Sequence, residues 1–317
     1  MSPSFSLGKL PAQPARPHLK LSAALRDRLA APPASADWQA DTIQWPMYGN
    51  ADWGDCVFAE IGHAVNQLTF YATGTETEPT DKDILGAYSK VTGFNPNAGP
   101  PGNNPTDQGT NVQDAMAFWR KTGIAGHKIV AYASLDVSNL TEIKQAIALF
   151  GSISIGFNFP DSAMAQFNDG QPWDVVKGAT IEGGHCVLAG AYDKDGVGVV
   201  TWGAETKMTW RFWQTYVDEA WVALDADGLK KAGAYFTGAP SFYALGEEFA
   251  ALTGESNPVP QPQPTPAPTP APTPPPSPTP APTPTPSPVD PRLVQATALS
   301  KQLDTLMNAW AHDNGVN

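Results

Sequence analysis

Cysteine is scarce in this chain, which has 317 residues and only two cysteines, Cys56 and Cys186. Two cysteines cannot build the disulfide framework of a small secreted domain, although they could pair with each other. Long apolar runs are also missing, and residues 1–10 contain no stretch of the length that a secretory signal peptide needs. The sequence therefore predicts no membrane span, and either a cytoplasmic location or export by a route without such a peptide.

Positive charge is scarce as well. The chain has 19 lysines and arginines against 31 aspartates and glutamates, so its formal net charge is -12. Since nucleic acids and anionic membrane surfaces attract basic proteins, this balance argues against either of them as the main partner.

Proline is abundant, and its uneven distribution divides the chain. More than half of the 33 prolines lie between Pro258 and Pro288, in a tract of Pro, Thr, Ala and Ser that favours polyproline II and cannot pack a core. The predicted parts are an N-terminal extension lying on the surface (residues 1–31), a folded domain (32–255), a disordered linker (256–289) and a C-terminal helix (290–317).

The predicted C-terminal helix, residues 290–317, is amphipathic. Its apolar residues follow one stripe, formed by Leu293, Ala296, Leu299, Leu303, Leu306, Met307 and Trp310. A single helix of this length cannot bury such a stripe by itself. The pattern therefore predicts that the segment docks on a protein partner or associates with a second copy of itself.

Within the folded domain, the apolar pattern predicts helices first and strands later. One helix begins at Cys56 and ends near Thr73, because apolar residues recur at helical spacing between them and Gly74 follows. Further helices are predicted over residues 80–91, 110–122 and 138–149. Strands are predicted over residues 128–133, 152–159, 186–192 and 197–202, the last two joined by a hairpin turn. This order is typical of an α+β fold rather than of alternating βαβ units.

Cys56 and His185 are the candidate chemical groups. Residues 50–60 predict a turn that opens into a helix at Cys56, where the backbone N–H groups and the helix dipole favour a thiolate. His185 stands at the head of an apolar, strand-like run. A cysteine and a histidine far apart in sequence, each at the end of a regular element, are what a thiol hydrolase requires. A packed core thiol and a satisfied strand histidine are the plain alternatives.

Six segments, in the right order, resemble the papain-like cysteine peptidases. Residues 32–38 resemble the LP-x-S-x-DW at the start of mature family members, and residues 50–60 resemble the Q-G-x-C-G-S-C-W-A-F segment. Residues 106–124 resemble N-G-G…A-F-x-Y-I…G-I, 143–155 resemble L-K-x-A-V…G-P-V-S-V, 184–192 resemble D-H-A-V-L-V-V-G-Y, and 201–203 resemble N-S-W-G. The resemblance covers much of residues 32–224.

This resemblance implies a fold, an activity and a site. The fold would be an N-terminal helical half carrying the cysteine helix, packed against a C-terminal antiparallel, β-barrel-like half carrying the histidine. Cys56 would be the nucleophile and His185 the base, with Asn50 in the oxyanion hole where the family has glutamine. The substrate would be a peptide or protein, cleaved without a cofactor or a metal.

The chain departs from the family pattern at three places near the site. Asp55 precedes the cysteine, and its charge would oppose a thiolate unless the side chain points away. Gly184 stands where the family has an aspartate before the histidine. The family's orienting asparagine falls on Val200, and the polar Thr201 serves instead only if the strand register slips by one residue. The orienting group is therefore open.

Several alternatives remain at this stage. The chain could be a non-catalytic papain-fold binding or structural module, tethered through its linker and terminal helix. The same site could also act on amide bonds of a non-protein substrate or transfer an acyl group to an amine. A Cys56–Cys186 disulfide would silence the thiol. A zinc site built from these cysteines with His63 and His185 matches no usual ligand spacing.

Overall fold

The structure, a computed structural model, describes residues 5–22, 31–39 and 44–225, together with a few isolated positions between 247 and 256. All of these lie in the first of two compact units, Met1–Gln263. In the described ranges six helices have defined bounds: α1 (Cys56–Thr73), α2 (Asp81–Thr92), α3 (Val112–Lys121), α4 (Leu140–Phe150), α5 (Asp161–Asn168) and α6 (Trp210–Tyr216). The strands are β1 (Leu19–Lys20), β2 (Ala36–Asp37), β3 (Ala131–Ser134), β4 (Ile153–Pro160), β5 (Ile181–Tyr192), β6 (Gly196–Thr201), β7 (Ala204–Thr209) and β8 (Val217–Leu224).

The eight strands form one sheet in the order β1-β3-β8-β4-β5-β6-β7, with β2 pairing on β5. The β1–β3 pair is parallel and the other pairs are antiparallel. Helices α1 to α3 precede most of the sheet, as the sequence predicts. The α+β class is therefore confirmed.

In the part of the chain that the structure describes, the sheet is open, so the barrel-like closure expected of this half is not seen there. β1 has only two residues, and both pair with β3. At the other edge, the N–H of Trp173 donates to the carbonyl of Lys207 at 2.7 Å and occupies the outer side of β7. The outer side of β7 is therefore occupied by this segment and not by β1.

Local signals explain where the helices begin and end. α1 ends at Gly74, which adopts the left-handed conformation and donates its N–H to Phe70. α2 begins with a capping box, in which Thr80 and Asp83 each accept a hydrogen bond from the other's backbone N–H. α6 is short: the chain leaves helical geometry after Tyr216 and continues as β8.

Two hydrophobic clusters lie on opposite faces of β5. Val187 packs into the first cluster, with residues of α4 and β4. Cys186 and Leu188 pack into the second, with α1 and α2. Because successive strand side chains point to opposite faces, this alternation separates the side chain of His185 from that of Cys186. The cysteine helix thus lies against one face of the histidine strand.

The described helices include none that is both long enough and apolar enough to cross a membrane. The predicted linker and C-terminal helix lie outside the described residues, apart from position 256, and both stay predictions.

Candidate active site

Cys56 is the first residue of α1, and its side chain is buried. The helix begins here because the carbonyl of Asp55 accepts hydrogen bonds from the N–H groups of Phe58 and Ala59, at 2.8 and 3.0 Å. The Asp55 side chain does not cap the helix. It is fully buried, and burial raises the pKa of its carboxyl well above the usual range. The acid beside the thiol is therefore biased towards its neutral form.

The loop that leads into Cys56 is held by Asp107. The N–H of Gly54 donates to both carboxylate oxygens of Asp107, each at 3.1 Å. The hydroxyl of Tyr88 donates to the same carboxylate at 2.6 Å and accepts from the N–H of Gly109 at 2.9 Å. One carboxylate thus ties the loop before Cys56 to Tyr88 and, through the Tyr88 hydroxyl, to Gly109.

His185 lies fully buried in β5. Its Nε2 lies 2.7 Å from Oγ1 of Thr201, and its ring stacks on the indole of Trp202 with centroids 4.3 Å apart. Its Nδ1 has no hydrogen-bond partner among the residues that the structure describes. The imidazole is therefore held at one nitrogen and on one face, and the other nitrogen is available.

Strand register explains why Thr201 and not Val200 meets the histidine. In the β5–β6 pair, Val200 lies opposite Leu188, and both belong to the cluster around α1. Continuing this register by one residue brings Thr201 opposite Val187, on the same face as His185. Thr201, one residue after the position on which the family's asparagine falls, therefore faces His185. Thr201 ends β6, and Trp202 and Gly203, both with positive φ, form the turn that follows.

The structure brings Cys56 to the histidine end of β5. The backbone of Cys186, the residue after His185, lowers the pKa of the Cys56 thiol. The Cys186 side chain points into the cluster around α1, and both cysteines are free thiols. Cys56 thus lies beside the strand that carries His185, while the His185 ring packs against Phe157 and Trp202 of the cluster on the other face of that strand.

Both groups are neutral at pH 7 in this arrangement. Burial raises the pKa of the Cys56 thiol to about 12, with Asp55 adding to the shift and the backbones of Cys186 and Gly8 opposing it. Burial also lowers the pKa of His185 to about 3. The site as folded holds a thiol and an imidazole rather than an ion pair.

Residues 5–11, which we call the covering segment, run across the site. The N–H groups of Gly8 and Lys9 both point to the carbonyl of Gly184, at 3.2 and 3.0 Å. On the other side, Thr110 donates its N–H to Gly8 at 2.8 Å and accepts from Leu10 at 3.0 Å. Within the extension that the sequence predicts to lie on the surface, the backbone of residues 8–10 finds partners on both walls of the site.

Glycines make room for the covering segment. A Cβ on Gly8 would overlap the carbonyl of Gly54, and one on Gly109 would overlap the carbonyl of Gly8. A Cβ on Gly184 would overlap the carbonyl of Lys9. The absence of a side chain at position 184, a departure from the family pattern, therefore has a steric reason.

Asn50 is buried, and its side chain faces the covering segment. Its Nδ2 donates to the carbonyl of Trp53 at 2.9 Å and to the carbonyl of Ser6 at 3.3 Å. The Ser6 N–H donates back to the Asn50 carbonyl at 3.2 Å. The predicted oxyanion-hole residue therefore already presents an N–H to a peptide carbonyl in the site.

His63 has a structural environment. It is buried, and its Nε2 lies 2.7 Å from the carbonyl of Pro46, while burial lowers its pKa to about 4. Within residues 5–22, 31–39 and 44–225, no group of three or more His, Cys, Asp or Glu side chains could hold a metal ion.

Glu60 lies one turn along α1 from Cys56 and is a second buried acid. Ser154 donates its hydroxyl to Glu60 Oε1 at 2.7 Å, and burial raises the pKa of Glu60 to about 8. A glutamate in the unfolded chain has a pKa of about 4.3. Between these two values the folded chain keeps a proton that the unfolded chain releases. The contribution of Glu60 to stability is therefore complete below about pH 4 and is lost as the pH rises to about 8.

We expect Glu60→Gln to remove this pH dependence. Relative to the wild type, the free energy of unfolding of the variant should rise by about 2–4 kcal/mol between pH 5 and pH 8. Urea unfolding of both chains at the two pH values measures this difference. Glu182→Gln, at an exposed carboxyl, is the control and should show no change. An equal difference at both pH values for Glu60→Gln would contradict the assignment.

Comparison with solved structures identifies the class of fold. The chain has the fold of the papain-like cysteine proteases, so the resemblance found in the sequence is confirmed at the level of the fold. No protein-family model and no curated protein matches the chain.

One similar structure is xylellain, a cysteine protease from Xylella fastidiosa. The TM-score is 0.56 at 17% identity, and the match covers 70% of this chain and 97% of that one. Others are a cysteine protease from Carica candamarcensis (13% identity, 61% and 99% covered, TM-score 0.45) and procathepsin L 3 from the larval midgut of Tenebrio molitor (13%, 65% and 74%, TM-score 0.45). At such identities the similarity shows the fold alone.

Proposed function

We propose that this protein is a thiol hydrolase that cleaves peptide or amide bonds through Cys56 and His185. One observation carries the proposal. The Cys56 thiol begins a helix beside the backbone of the residue after His185, while the His185 ring is held at Nε2 by Thr201 and keeps Nδ1 without a partner among the described residues. A helix-terminal thiol and a buried, oriented imidazole are the two groups that thiol catalysis uses.

In the proposed reaction, Nδ1 of His185 takes the proton of the Cys56 thiol, and the sulfur attacks the substrate carbonyl carbon. The carbon–nitrogen bond then breaks, and His185 gives its proton to the leaving amine. A thioester remains on Cys56. Water, deprotonated by His185, attacks the thioester carbon, and the carboxyl product leaves as the sulfur takes the proton back.

Three further residues would support these steps. Asn50 donates an Nδ2–H to the carbonyl of Ser6 in the site. The same N–H would stabilise the negative charge that develops on the carbonyl oxygen of the substrate. Thr201 acts as a positioning residue, because accepting a hydrogen bond from Nε2–H leaves the lone pair on Nδ1. Trp202 stacks on the imidazole and excludes water from that face.

The covering segment defines a closed state. Because its backbone lies over the thiol, a substrate reaches Cys56 only after residues 5–11 leave. An extended peptide paired on both sides also indicates that a peptide is the chemistry this site accommodates. We therefore propose a peptide or protein substrate and an activity that appears when the segment is displaced.

The pH dependence of Cys56 alkylation tests the proposal. In a chain opened by Gly8→Val, iodoacetamide should label Cys56 rapidly at pH 6, where an ordinary thiol of pKa about 8.5 is protonated. His185→Ala in the same chain should remove this acidic limb, and Thr201→Val should weaken it while Thr201→Ser retains it. The readout is the alkylation rate at Cys56 by mass spectrometry, with Cys186 as the internal control.

The alternative is a non-catalytic module of the same fold. It predicts that Cys56 in the opened chain labels only as an ordinary thiol does, with no effect of His185→Ala. That result would overturn the proposed hydrolase and direct attention to the predicted C-terminal helix and its partner.

A further inference from the structure

Lys9 of the covering segment occupies a built pocket. Its side chain is only 1% exposed, although lysine is almost never fully buried unless it is paired. Nζ donates to both carboxylate oxygens of Asp218, at 2.8 and 2.9 Å, and lies 3.1 Å from Oε1 of Glu219. Two acids thus face one ammonium group.

The pocket is shaped for a long, unbranched cationic side chain. A Cβ on Gly156 would overlap Cε of Lys9, so the absence of a side chain there keeps the channel open. Gly156 of β4 pairs with Glu219 of β8, which places the acid directly beyond the opening. The N–H of Trp221 Nε1 donates to Glu219 Oε2 at 2.8 Å and holds the carboxylate in place.

The pocket also lies beside the proposed catalytic thiol. Gly8, the residue before Lys9, lies against the carbonyl of Gly54, two residues before Cys56, and its backbone lowers the pKa of the Cys56 thiol. Lys9 itself is held by its own N–H to Gly184, next to His185. A peptide bound here with its backbone over the thiol therefore offers a side chain near the reacting bond to the two acids.

We propose that Gly156, Asp218 and Glu219 form a specificity pocket for a lysine or arginine side chain, and that the substrates are peptides with a basic residue within two positions of the cleaved bond. Lys9 is the internal occupant of this pocket. The cleavage part of the inference rests on the proposed function. The binding part does not, and it is tested without catalysis.

The test measures binding of a labelled peptide with the sequence of residues 5–11, Phe-Ser-Leu-Gly-Lys-Leu-Pro. The receptor is the full chain with Gly8→Val, which displaces its own segment, and with Cys56→Ala, which prevents turnover. Fluorescence anisotropy gives the dissociation constant. Peptides with lysine or arginine at the fifth position should bind at least about tenfold more tightly than peptides with methionine or glutamate there, because the pocket acids would otherwise stay unpaired.

A matched peptide separates pocket recognition from general attraction to a chain of net charge -12. In Phe-Ser-Leu-Gly-Leu-Lys-Pro the lysine and the leucine that follows it in the original peptide are exchanged. The composition and the charge of the peptide are therefore unchanged. This peptide should bind as weakly as the methionine peptide. Equal binding of the two lysine peptides would overturn the proposal, since charge alone would then explain the affinity.

Variants of the pocket complete the test. Asp218 is 27% exposed, so Asp218→Asn leaves the core intact, and it should shrink the preference for lysine over methionine to about twofold or less. Gly156→Ala should remove lysine binding by filling the channel, with thermal unfolding as the check on folding. An unchanged preference in a folded Asp218→Asn chain would refute the pocket.

Fluorogenic dipeptide amides, with arginine or leucine in either position, then test cleavage on the opened chain with Cys56 intact. A preference for arginine that Asp218→Asn removes supports the full inference. Peptide binding with the expected preference but no turnover would overturn the proposed function and leave the basic-side-chain pocket standing. Turnover without a preference for arginine would support the proposed function and overturn the basic-side-chain pocket.

Discussion

Replacing Gly8 by valine is expected to raise the alkylation rate of Cys56 at pH 7 by at least about 100-fold. A side chain at position 8 would overlap the Gly54 carbonyl, which belongs to a loop fixed by Asp107, so the covering segment must move instead. Water then reaches the sulfur, and the pKa of Cys56 falls from about 12 towards the ordinary thiol value of about 8.5 or below it. A change of this size increases the thiolate fraction at pH 7 by about three orders of magnitude.

The control for this experiment is Leu10→Ala. Leu10 is 41% exposed and lies in the same segment, so shortening its side chain should leave the alkylation rate within about twofold. If Gly8→Val labels no faster than the wild type while both chains are folded, the segment does not limit access to the thiol, and the closed state would have to be abandoned.

Replacing Cys56 by serine in the opened chain is expected to lower kcat/KM for peptide hydrolysis by at least about 10³-fold. A serine hydroxyl has a far higher pKa than a thiol, so a site that relies on His185 for deprotonation cannot activate it equally well. His185→Ala should lower kcat/KM by a similar factor. The double variant should lose little more than either single one, because the members of a catalytic unit are not additive.

Cys186→Ala serves as the matched cysteine control. Cys186 is buried in the cluster around α1 that also contains Cys56, and its side chain points away from the face that carries His185. Its loss should lower stability and leave the hydrolysis rate of the folded protein within about threefold. Hydrolysis that survives Cys56→Ser but is lost in Cys186→Ala would show that Cys186, and not Cys56, is the nucleophile. Hydrolysis that survives both would exclude a thiol mechanism.

The sequence predicted those features that depend on local signals. A turn followed by apolar residues at helical spacing located the start of α1 at Cys56, and Gly74 located its end. The alternation of apolar residues after His185 located β5 and set its two faces. These signals lie within a few residues of the structure they specify, so they need no knowledge of the rest of the fold.

The features that the sequence left open depend on long-range pairing. Thr201 meets His185 through the register of two strands, and one residue of register decides whether Thr201 or Val200 faces the ring. Lys9 lies more than 200 residues from Asp218 and Glu219 in the sequence. The extension that carries Lys9 has no periodic apolar pattern. Its path is indicated only by the glycines of the two opposite walls, and the role of these glycines is recognisable only once the fold is known.

The covering segment belongs to the same chain as the site it fills, and this has a consequence for how the site opens. A tethered ligand competes at an effective concentration that the tether sets, of millimolar order for short flexible connections. Dilution, which releases an inhibitor that binds from solution, leaves this occupancy unchanged. The protein should therefore be as closed at nanomolar as at micromolar concentration. Opening requires a cut in the chain, or a ligand that competes successfully with the tethered segment at its effective concentration.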